Sequence, residues 1–422
     1  MTPTKRLAPP LFYALSVFTA LAAAAAPITN TIETASPYVE IAAFTEALHV
    51  IMHRHVHEAN FKELIDAAIE GMTISLDPYS QFLHADDLNA FTDDSAGNIS
   101  GIGIVVSKVD DHWFINYPIP GSPAFQAGIR ANDEILAVNG IASNEFNFED
   151  ALNHIRGEAG TVVVLSILRS GERESQDVTI RRATFAIPTV QSAQIFTNAI
   201  GYAAIVKFGE NTPKEFYTTL QNQRKQNLKG YILDLRDNPG GLLYAAVAVA
   251  DALLPEDKLI AYTAGRVEAE DNEVFKTKAR DLLEGIPLVI LINEGSASAA
   301  EVLAGAIRDN HRGIIIGERS FGKAAVQSLF HLETRPDEAI LLTTARYFTP
   351  ASNLIHGCGI TPDIHVPQSA EDFHAATLKR IFNTHPELYH PADAASIQTA
   401  SDAPLEAAIQ HINNQNTTTK PE

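Results

Sequence analysis

The segment Leu288-Val-Ile-Leu-Ile-Asn-Glu-Gly-Ser-Ala-Ser298-Ala-Ala-Glu301 decides how the chain is read. Five apolar residues, Leu288–Ile292, have the length and character of a buried strand. A turn of polar and small residues follows, and Ala299–Asp309 then carries helical spacing. A second apolar run, Gly313–Glu318, leads into Ser320-Phe-Gly-Lys323-Ala-Ala-Val-Gln327. Neighbouring parallel strands would place both turns at one edge of a sheet. A serine that opens a helix lies beside N–H groups left unpaired by helix bonding. Ser298-Ala-Ala-Glu301 also fits a capping box, in which the serine only satisfies the helix N-terminus, and Ser296 fits a cap equally well. Lys323 by itself reads as a solvated surface lysine.

Outward from this segment, strands and helices alternate from Gly201 onward. Strands are expected at Tyr202–Phe208, Gly230–Leu235, Leu288–Ile292, Ile314–Gly317 and Ile340–Phe348, and helices at Pro213–Arg224, Leu243–Leu253 and Ala299–Asp309. Alternation of this kind predicts an α/β core over residues 184–368 with a mostly parallel sheet. Between Gly101 and Arg182 the pattern becomes one of short strands: Gly101–Ser107, Trp113–Tyr117 and the β-branched Gly160–Leu168. Two helical pieces interrupt them, at Ala124–Ala127 and Asn147–Ile155, so residues 97–183 make one β-rich module. Residues 37–96 read as a helical region, with Asp93–Asn98 as a turn-rich linker. Beyond Gln368 the chain is polar and alanine-rich; residues 369–422 form an extension whose end, Asn413–Glu422, is expected to be disordered.

The 422 residues are 45% apolar and 19% charged, enough for two or three domains with real cores. A formal net charge of −20 argues against nucleic acid or anionic lipid as a standing partner. Lys5 and Arg6 precede an apolar run from Leu11 to Ala26 that ends in five alanines. That order describes a secretory signal peptide over residues 1–26, cleaved within Ala22–Ala25, and implies an exported, periplasmic protein. The run is alanine-diluted and shorter than the roughly 20 residues of a spanning helix. Cys358 is the only cysteine, so no intrachain disulfide forms and no lipid-anchoring cysteine stands near the cleavage region.

Several motifs stand in a fixed order: Leu76-Asp-Pro-Tyr-Ser-Gln-Phe-Leu83, Gly101-Ile-Gly-Ile104, Gly121-Ser-Pro-Ala124 with Ala127-Gly-Ile129 and Asp133, Asp234-Leu-Arg-Asp-Asn-Pro-Gly-Gly241, the Ser298 segment and Phe321-Gly-Lys323. Together, over roughly residues 40–367, they resemble the carboxy-terminal processing peptidases, or tail-specific proteases. The resemblance implies a multidomain α/β protein: a helical N-terminal region, a PDZ-like β-rich domain and an α/β serine peptidase core. It makes Ser298 the nucleophile, Lys323 the base and Gln327 the residue that orients the base. No metal and no cofactor are required. Glu301 and Asp309 match acidic positions of the family, and both also read as ordinary helix-terminus residues. Ala324 replaces the glycine usual after the lysine, and Ala300 stands where serine is commoner.

The chemistry sets a condition on Lys323. An ordinary lysine, with a pKa of about 10.4, is protonated at neutral pH and cannot accept a proton. Lowering that by about 3 units costs roughly 4 kcal/mol, which requires a dry, cation-free pocket. Phe321, Gly322, Ala324, Ala325 and Val326 supply apolar neighbours. The oxyanion hole is expected from the N–H groups of Gly240 and Ala299; Gly240 and Gly241 equally suit a tight turn after a strand. Ser100-Gly-Ile-Gly-Ile104 resembles the carboxylate-binding loop of PDZ domains, with Gly101, Ile102, Gly103 and Ile104 as the peptide-binding residues. Ile102 and Ile104 then imply a preference for apolar terminal side chains. Protein substrates taken by their C-termini are the implied partners. The sequence leaves open an activating adaptor and a homo-oligomer.

Two rival readings bear on the same residues. A tail-binding adaptor would use the PDZ-like module and keep a silent catalytic site. A penicillin-recognising acyl-enzyme would use Ser320, which has Ser-x-x-Lys spacing to Lys323, although Gly322 suits a helix poorly and no Lys-Thr-Gly accompanies it. His53, His55 and His57 invite a metal reading, but no carboxylate stands at helical ligand spacing, and a solvated helix face explains them.

Overall fold

The computed structural model describes residues 37–109, 112–146, 154–169, 172–353, 355–390 and 397–418. The signal peptide expected over residues 1–26 lies outside the described residues, as do most of the helix expected at 147–155 and the tail 419–422. The chain divides into a short unit ending at Ala68 and a large unit beginning at Ile69. In the first, helix Pro37–Arg54 stops before His55, so His53 and His57 do not share a helical face. All three histidines are exposed. Among the described residues no helix is long and apolar enough to cross a membrane.

The large unit is built on a six-stranded sheet, counted among the described residues, in the order Val190–Ile195, Ile200–Ile205, Gly230–Asp234, Leu288–Ile292, Ile314–Gly317, Ile364–His365. The first pair is antiparallel and the following pairs are parallel. Every residue of Gly230–Asp234 and of Leu288–Ile292 is buried, which is why both read as unbroken apolar runs. Helices Thr212–Arg224, Leu243–Leu253 and Ala299–Asp309 pack on one face through Phe216, Leu220, Val249, Leu253, Leu303 and Ile307.

The other face corrects an expectation. Residues Ala403–Thr418 form a helix, so the stretch 413–418 continues ordered structure instead of beginning a disordered tail. Leu405, Ala408 and Ile412 fall on one stripe of that helix and cover Ile232, Val289 and Leu291. The polar residues that signalled disorder occupy its outer side. Ile340–Phe348, expected in the parallel sheet, instead belongs to the long strand Arg335–Phe348. That strand pairs antiparallel with Ala325–Leu332, Gln81–Leu83 and Leu259–Gly265 in a second sheet.

The β-rich module is an antiparallel sheet whose core holds Trp113, Ile115, Ile135, Val163, Leu165 and Ile167. The linker expected at Asp93–Asn98 begins as the end of helix Ala85–Ser95, and Asn98 already begins a strand. Strand Asn98–Gly101 enters the module paired antiparallel with Ala183–Ala186, which leaves it.

A buried ionic network binds the carboxy-terminal segment to the core. Arg236 contacts Asp234 at 2.6 Å and Asp402 at 2.7 Å, and Arg380 contacts Asp402 at 2.5 Å. Burial would raise the Asp234 pKa, but Arg236 and Arg380 outweigh it and hold the carboxyl at about 2. Ile381, Leu388 and Tyr389 of the same segment pack with Ala131 of the module, whose N–H donates to the Leu388 carbonyl at 2.9 Å. Residues of the extension after Gln368 therefore touch both the core and the module.

Candidate active site

Strand Leu288–Ile292 ends at a turn pinned to its neighbours. The buried hydroxyl of Ser296 donates to the Leu235 carbonyl at 2.7 Å and accepts the Asn293 N–H at 3.0 Å. Ser296 is thus a fastener. Ser298 follows at φ 53° and ψ −118°, a conformation that costs a non-glycine residue about 1–3 kcal/mol. Contacts on both sides hold it there. Its N–H donates to Glu301 Oε2 at 2.9 Å, and its carbonyl accepts from the Glu301 N–H at 2.8 Å and the Tyr347 hydroxyl at 2.9 Å. The capping box read from the sequence is present, with the Ser298 side chain toward the Glu301 N–H and the Glu301 carboxylate on the Ser298 N–H, so the serine opens the helix as well as the cavity. Strain at a partly exposed serine is the kind found where geometry serves chemistry.

The Asn-Pro-Gly-Gly turn presses against this serine. A Cβ at Gly240, where φ is +100°, would lie 2.7 Å from Ser298 Cβ and 2.9 Å from the Ala299 nitrogen. No larger residue fits. The expected oxyanion role of the Gly240 N–H is corrected, because that group donates to Asn238 Oδ1 at 2.8 Å. The N–H groups of Gly241 and Ala299 donate to no group among the described residues, and both residues line the cavity beside Ser298.

Lys323 follows strand Ile314–Gly317, the parallel neighbour of the serine strand, so the two turns share an edge. The buried Glu301 carboxylate joins them. Besides the Ser298 N–H it accepts the N–H groups of Gly322 and Lys323, each at 2.8 Å, and the Ser320 hydroxyl at 2.5 Å. Burial nevertheless pushes its pKa up, against the pull of those donors. The Tyr347 hydroxyl, which touches the Ser298 carbonyl, also reaches the Lys323 carbonyl. Ser320 is committed to this scaffold: its hydroxyl donates to Glu301 and accepts the Ile360 N–H at 2.6 Å. That occupancy sets aside the acyl-enzyme reading centred on Ser320.

Ser298, Lys323 and Gln327 line one cavity of about 290 Å³ with Phe91, Leu242 and Leu341. The Lys323 amine donates to Gln327 Oε1 at 3.0 Å, and Gln327 Nε2 donates to the Tyr79 carbonyl at 2.5 Å. The Ser298 hydroxyl is not among the amine's hydrogen-bond partners; catalytic bonds of this kind are often long until substrate is bound. Desolvation holds the Lys323 pKa below that of an ordinary lysine, and the Asp77 carboxylate opposes it in part. Asp309 stands apart from this set. It pairs with Arg308 and accepts the Ala351 N–H at 3.1 Å, a helix-end role.

In the β-rich module the expected carboxylate loop is anchored by its carbonyls. Ile102 accepts the Ala124 N–H at 2.8 Å, while Gly103 accepts the Ile119 N–H at 2.9 Å and the Ser122 hydroxyl at 3.0 Å. The N–H groups of Ile102 and Gly103 donate to no group among the described residues. Among the described residues, strand Ile104–Val109 stands at the edge of its sheet, with His112–Pro118 as its one strand partner. Ile102 is corrected as a contact for a ligand side chain, because it points into the module core. Ile104 packs only partly against that core.

Sequence reasoning took Glu301 as a cap partner and missed that one carboxylate clamps both turns. It gave Tyr347 no role. The capping-box spacing was the available signal for Glu301; nothing local distinguishes Tyr347 from other strand tyrosines.

Comparison with known proteins adds to this geometry. Residues 199–366 match the model of peptidase family S41, and residues 114–169 match a PDZ domain. A carboxy-terminal-processing protease of Bartonella bacilliformis is 36% identical over 337 residues, covering 78% of this chain and 76% of that protein. A carboxyl-terminal-processing protease of Synechocystis is 36% identical over 313 residues, with 72% of each chain covered. A solved S41 protease structure from Bacteroides fragilis, 16% identical, covers 88% of this chain and 97% of its own at a TM-score of 0.54, a likeness of fold alone.

Proposed function

The chain belongs to peptidase family S41 and is a carboxy-terminal processing serine protease, and from that premise we propose that its chemistry runs through a Ser298–Lys323 dyad acting on exported or partly unfolded proteins taken by their C-termini. One observation carries the dyad: Ser298 and Lys323 open onto the same cavity, from adjacent turns clamped by one buried carboxylate. In this reading Lys323 Nζ takes the proton of Ser298 Oγ as the oxygen attacks the scissile carbonyl carbon. The N–H groups of Gly241 and Ala299 receive the developing oxyanion. The lysine then protonates the departing amine as the C–N bond breaks, leaving an acyl-enzyme. A water, deprotonated by the same lysine, releases the acid product and restores the serine.

The position of Ile104–Val109 at the edge of its sheet, and the N–H groups beside it that donate to no group among the described residues, support capture of a substrate C-terminus as an added strand. The basic and apolar order of Lys5–Ala26 supports export to the periplasm. A Ser298→Ala variant tests the whole reading. It is expected to lose proteolysis of an unfolded substrate yet bind a C-terminal peptide with unchanged affinity. Retained proteolysis contradicts the dyad, and lost binding contradicts separate capture. For export, the amino terminus of the mature protein is expected to begin within or just after Ala22–Ala25.

A further inference from the structure

The motif Leu76-Asp-Pro-Tyr-Ser-Gln-Phe-Leu83 marks the family, yet the dyad chemistry gives it no task. The structure places it under the base. Asp77 Oδ1 accepts the N–H groups of Tyr79 at 2.8 Å and Ser80 at 2.9 Å, and Asp77 Oδ2 accepts the Ser80 hydroxyl at 2.7 Å. The Thr343 N–H donates to Ser80 Oγ at 3.1 Å, which fastens the turn to strand Arg335–Phe348. This rigid turn presents two groups to the lysine. The Tyr79 carbonyl fixes the amide of Gln327, so that Gln327 Oε1 faces the amine. The Tyr79 ring lies with its centroid 4.5 Å from Lys323 Nζ. The ring of His356 meets the Tyr79 ring in an edge-on contact, centroids 6.3 Å apart at 76°.

Resting on the Ser298–Lys323 reading, we propose that Tyr79 is a positioning residue for the base, whose ring face receives the lysine as it becomes an ammonium. A π face and an amide oxygen both attract a cation and do little for a neutral amine. Positive charge appears on Nζ only when the serine proton arrives, so these two groups act in the transition state more than in the resting enzyme. They also offset desolvation, which favours the neutral amine beforehand. The result is a base that is free at rest and stabilised when loaded.

Other charged or titratable groups surround the same lysine. Asp77 lies on the turn itself and acts on the amine; Glu301 accepts the Lys323 N–H from the serine helix, Tyr347 reaches the Lys323 carbonyl from the long strand, and His356 accepts the adjacent Ala324 N–H from its loop. Lys207 and Asp94, paired with each other, line the same cavity, and Arg346 acts on His356. Replacing the Tyr79 ring removes none of these, and the backbone carbonyl that holds Gln327 remains.

The test is the pH dependence of kcat/KM on a peptide without ionisable side chains near the scissile bond. Four proteins are compared: the parent, Tyr79→Phe, Tyr79→Leu and Lys323→Ala. Tyr79→Phe keeps the ring and is expected to overlay the parent. Tyr79→Leu is expected to shift the acidic limb about half a pH unit lower, with a plateau several-fold reduced. Tyr79→Met serves in its place if the leucine variant does not fold. An acidic limb that stays put while only the plateau falls would reduce Tyr79 to packing and overturn the proposal. So would a phenylalanine variant that behaves like the leucine one. Activity retained by Lys323→Ala would sink the dyad reading instead, a separate outcome.

Discussion

The carboxylate of Glu301 accepts the backbone N–H of Lys323 at 2.8 Å while also holding that of Ser298 at 2.9 Å. A single buried side chain thereby sets the spacing of two turns that arrive from different strands. Its burial and its four donors make it a structural ion whose loss leaves N–H groups unsatisfied in a dry site.

Glu301→Ala is therefore expected to cost about 3 kcal/mol of stability and at least about a hundredfold in kcat, because both turns lose their common anchor. Glu301→Gln keeps the shape but turns an NH2 toward backbone donors, and should be intermediate. Chemical denaturation and steady-state kinetics check both. A fully active, stable alanine variant would show that the clamp is dispensable.

Gly322 precedes the lysine at φ +93°, and a Cβ there would lie 2.7 Å from the Gly359 nitrogen and 3.0 Å from the Ile355 carbonyl oxygen. Gly322→Ala must push the 355–359 loop away from the lysine turn. A loss of activity of roughly tenfold or more is expected, with the melting temperature lowered by a few degrees. Unchanged kinetics would mean that the loop yields without moving Lys323.

Asp77 raises the pKa of Lys323 against the larger, opposite effect of desolvation. Asp77→Asn keeps an acceptor for the Tyr79 and Ser80 N–H groups but removes the charge. The neutral base should then persist to lower pH, so the acidic limb of kcat/KM moves down. Because Asp77 is only partly buried, added salt should shrink the difference between variant and parent. A limb that moves upward contradicts the assignment.

The network of Asp234, Arg236, Arg380 and Asp402 predicts how stability depends on pH. Asp234 is held at about 2, and Asp402 is also lowered: burial acts to raise it, but bonds from Arg236 and the charges of Arg236 and Arg380 prevail. Both groups have depressed folded pKa values, so their contribution is complete above the unfolded value of about 3.9 and is lost as pH falls toward 2. Asp402→Asn leaves Arg236 and Arg380 short of a counter-charge and should cost about 3 kcal/mol near neutral pH. The gap between parent and variant should close in acid, as followed by urea unfolding at several pH values.

How much of this was legible in the sequence depended on how local the cause was. Leu288–Ile292, Ile314–Gly317, Leu243–Leu253 and Ala299–Asp309 stand where their apolar runs and turn residues place them. Burial on both faces leaves few other ways to fold such segments. Strand Arg335–Phe348 could not be assigned to its sheet, because its partners at Gln81–Leu83 and Leu259–Gly265 are remote in sequence. Helix Ala403–Thr418 was hidden by its asparagines and glutamines; only a sheet face needing cover gives meaning to Leu405, Ala408 and Ile412. At the site, Ser298, Lys323 and Gln327 were picked out by the resemblance to the carboxy-terminal processing peptidases, since the residues alone read equally as a helix cap and a surface lysine. The diversion of the Gly240 N–H to Asn238 was not, since it turns on one side-chain rotamer.

The central claim is that an uncharged Lys323 activates Ser298. It is tested most directly by the rate at which a serine-directed fluorophosphonate labels the protein as a function of pH, with the labelled residue located by peptide mapping. The label should fall on Ser298, at a rate that rises through one ionisation below that of an ordinary lysine, and should vanish in Lys323→Ala. Labelling at another serine, or undiminished labelling of Ser298 without the lysine, would contradict it.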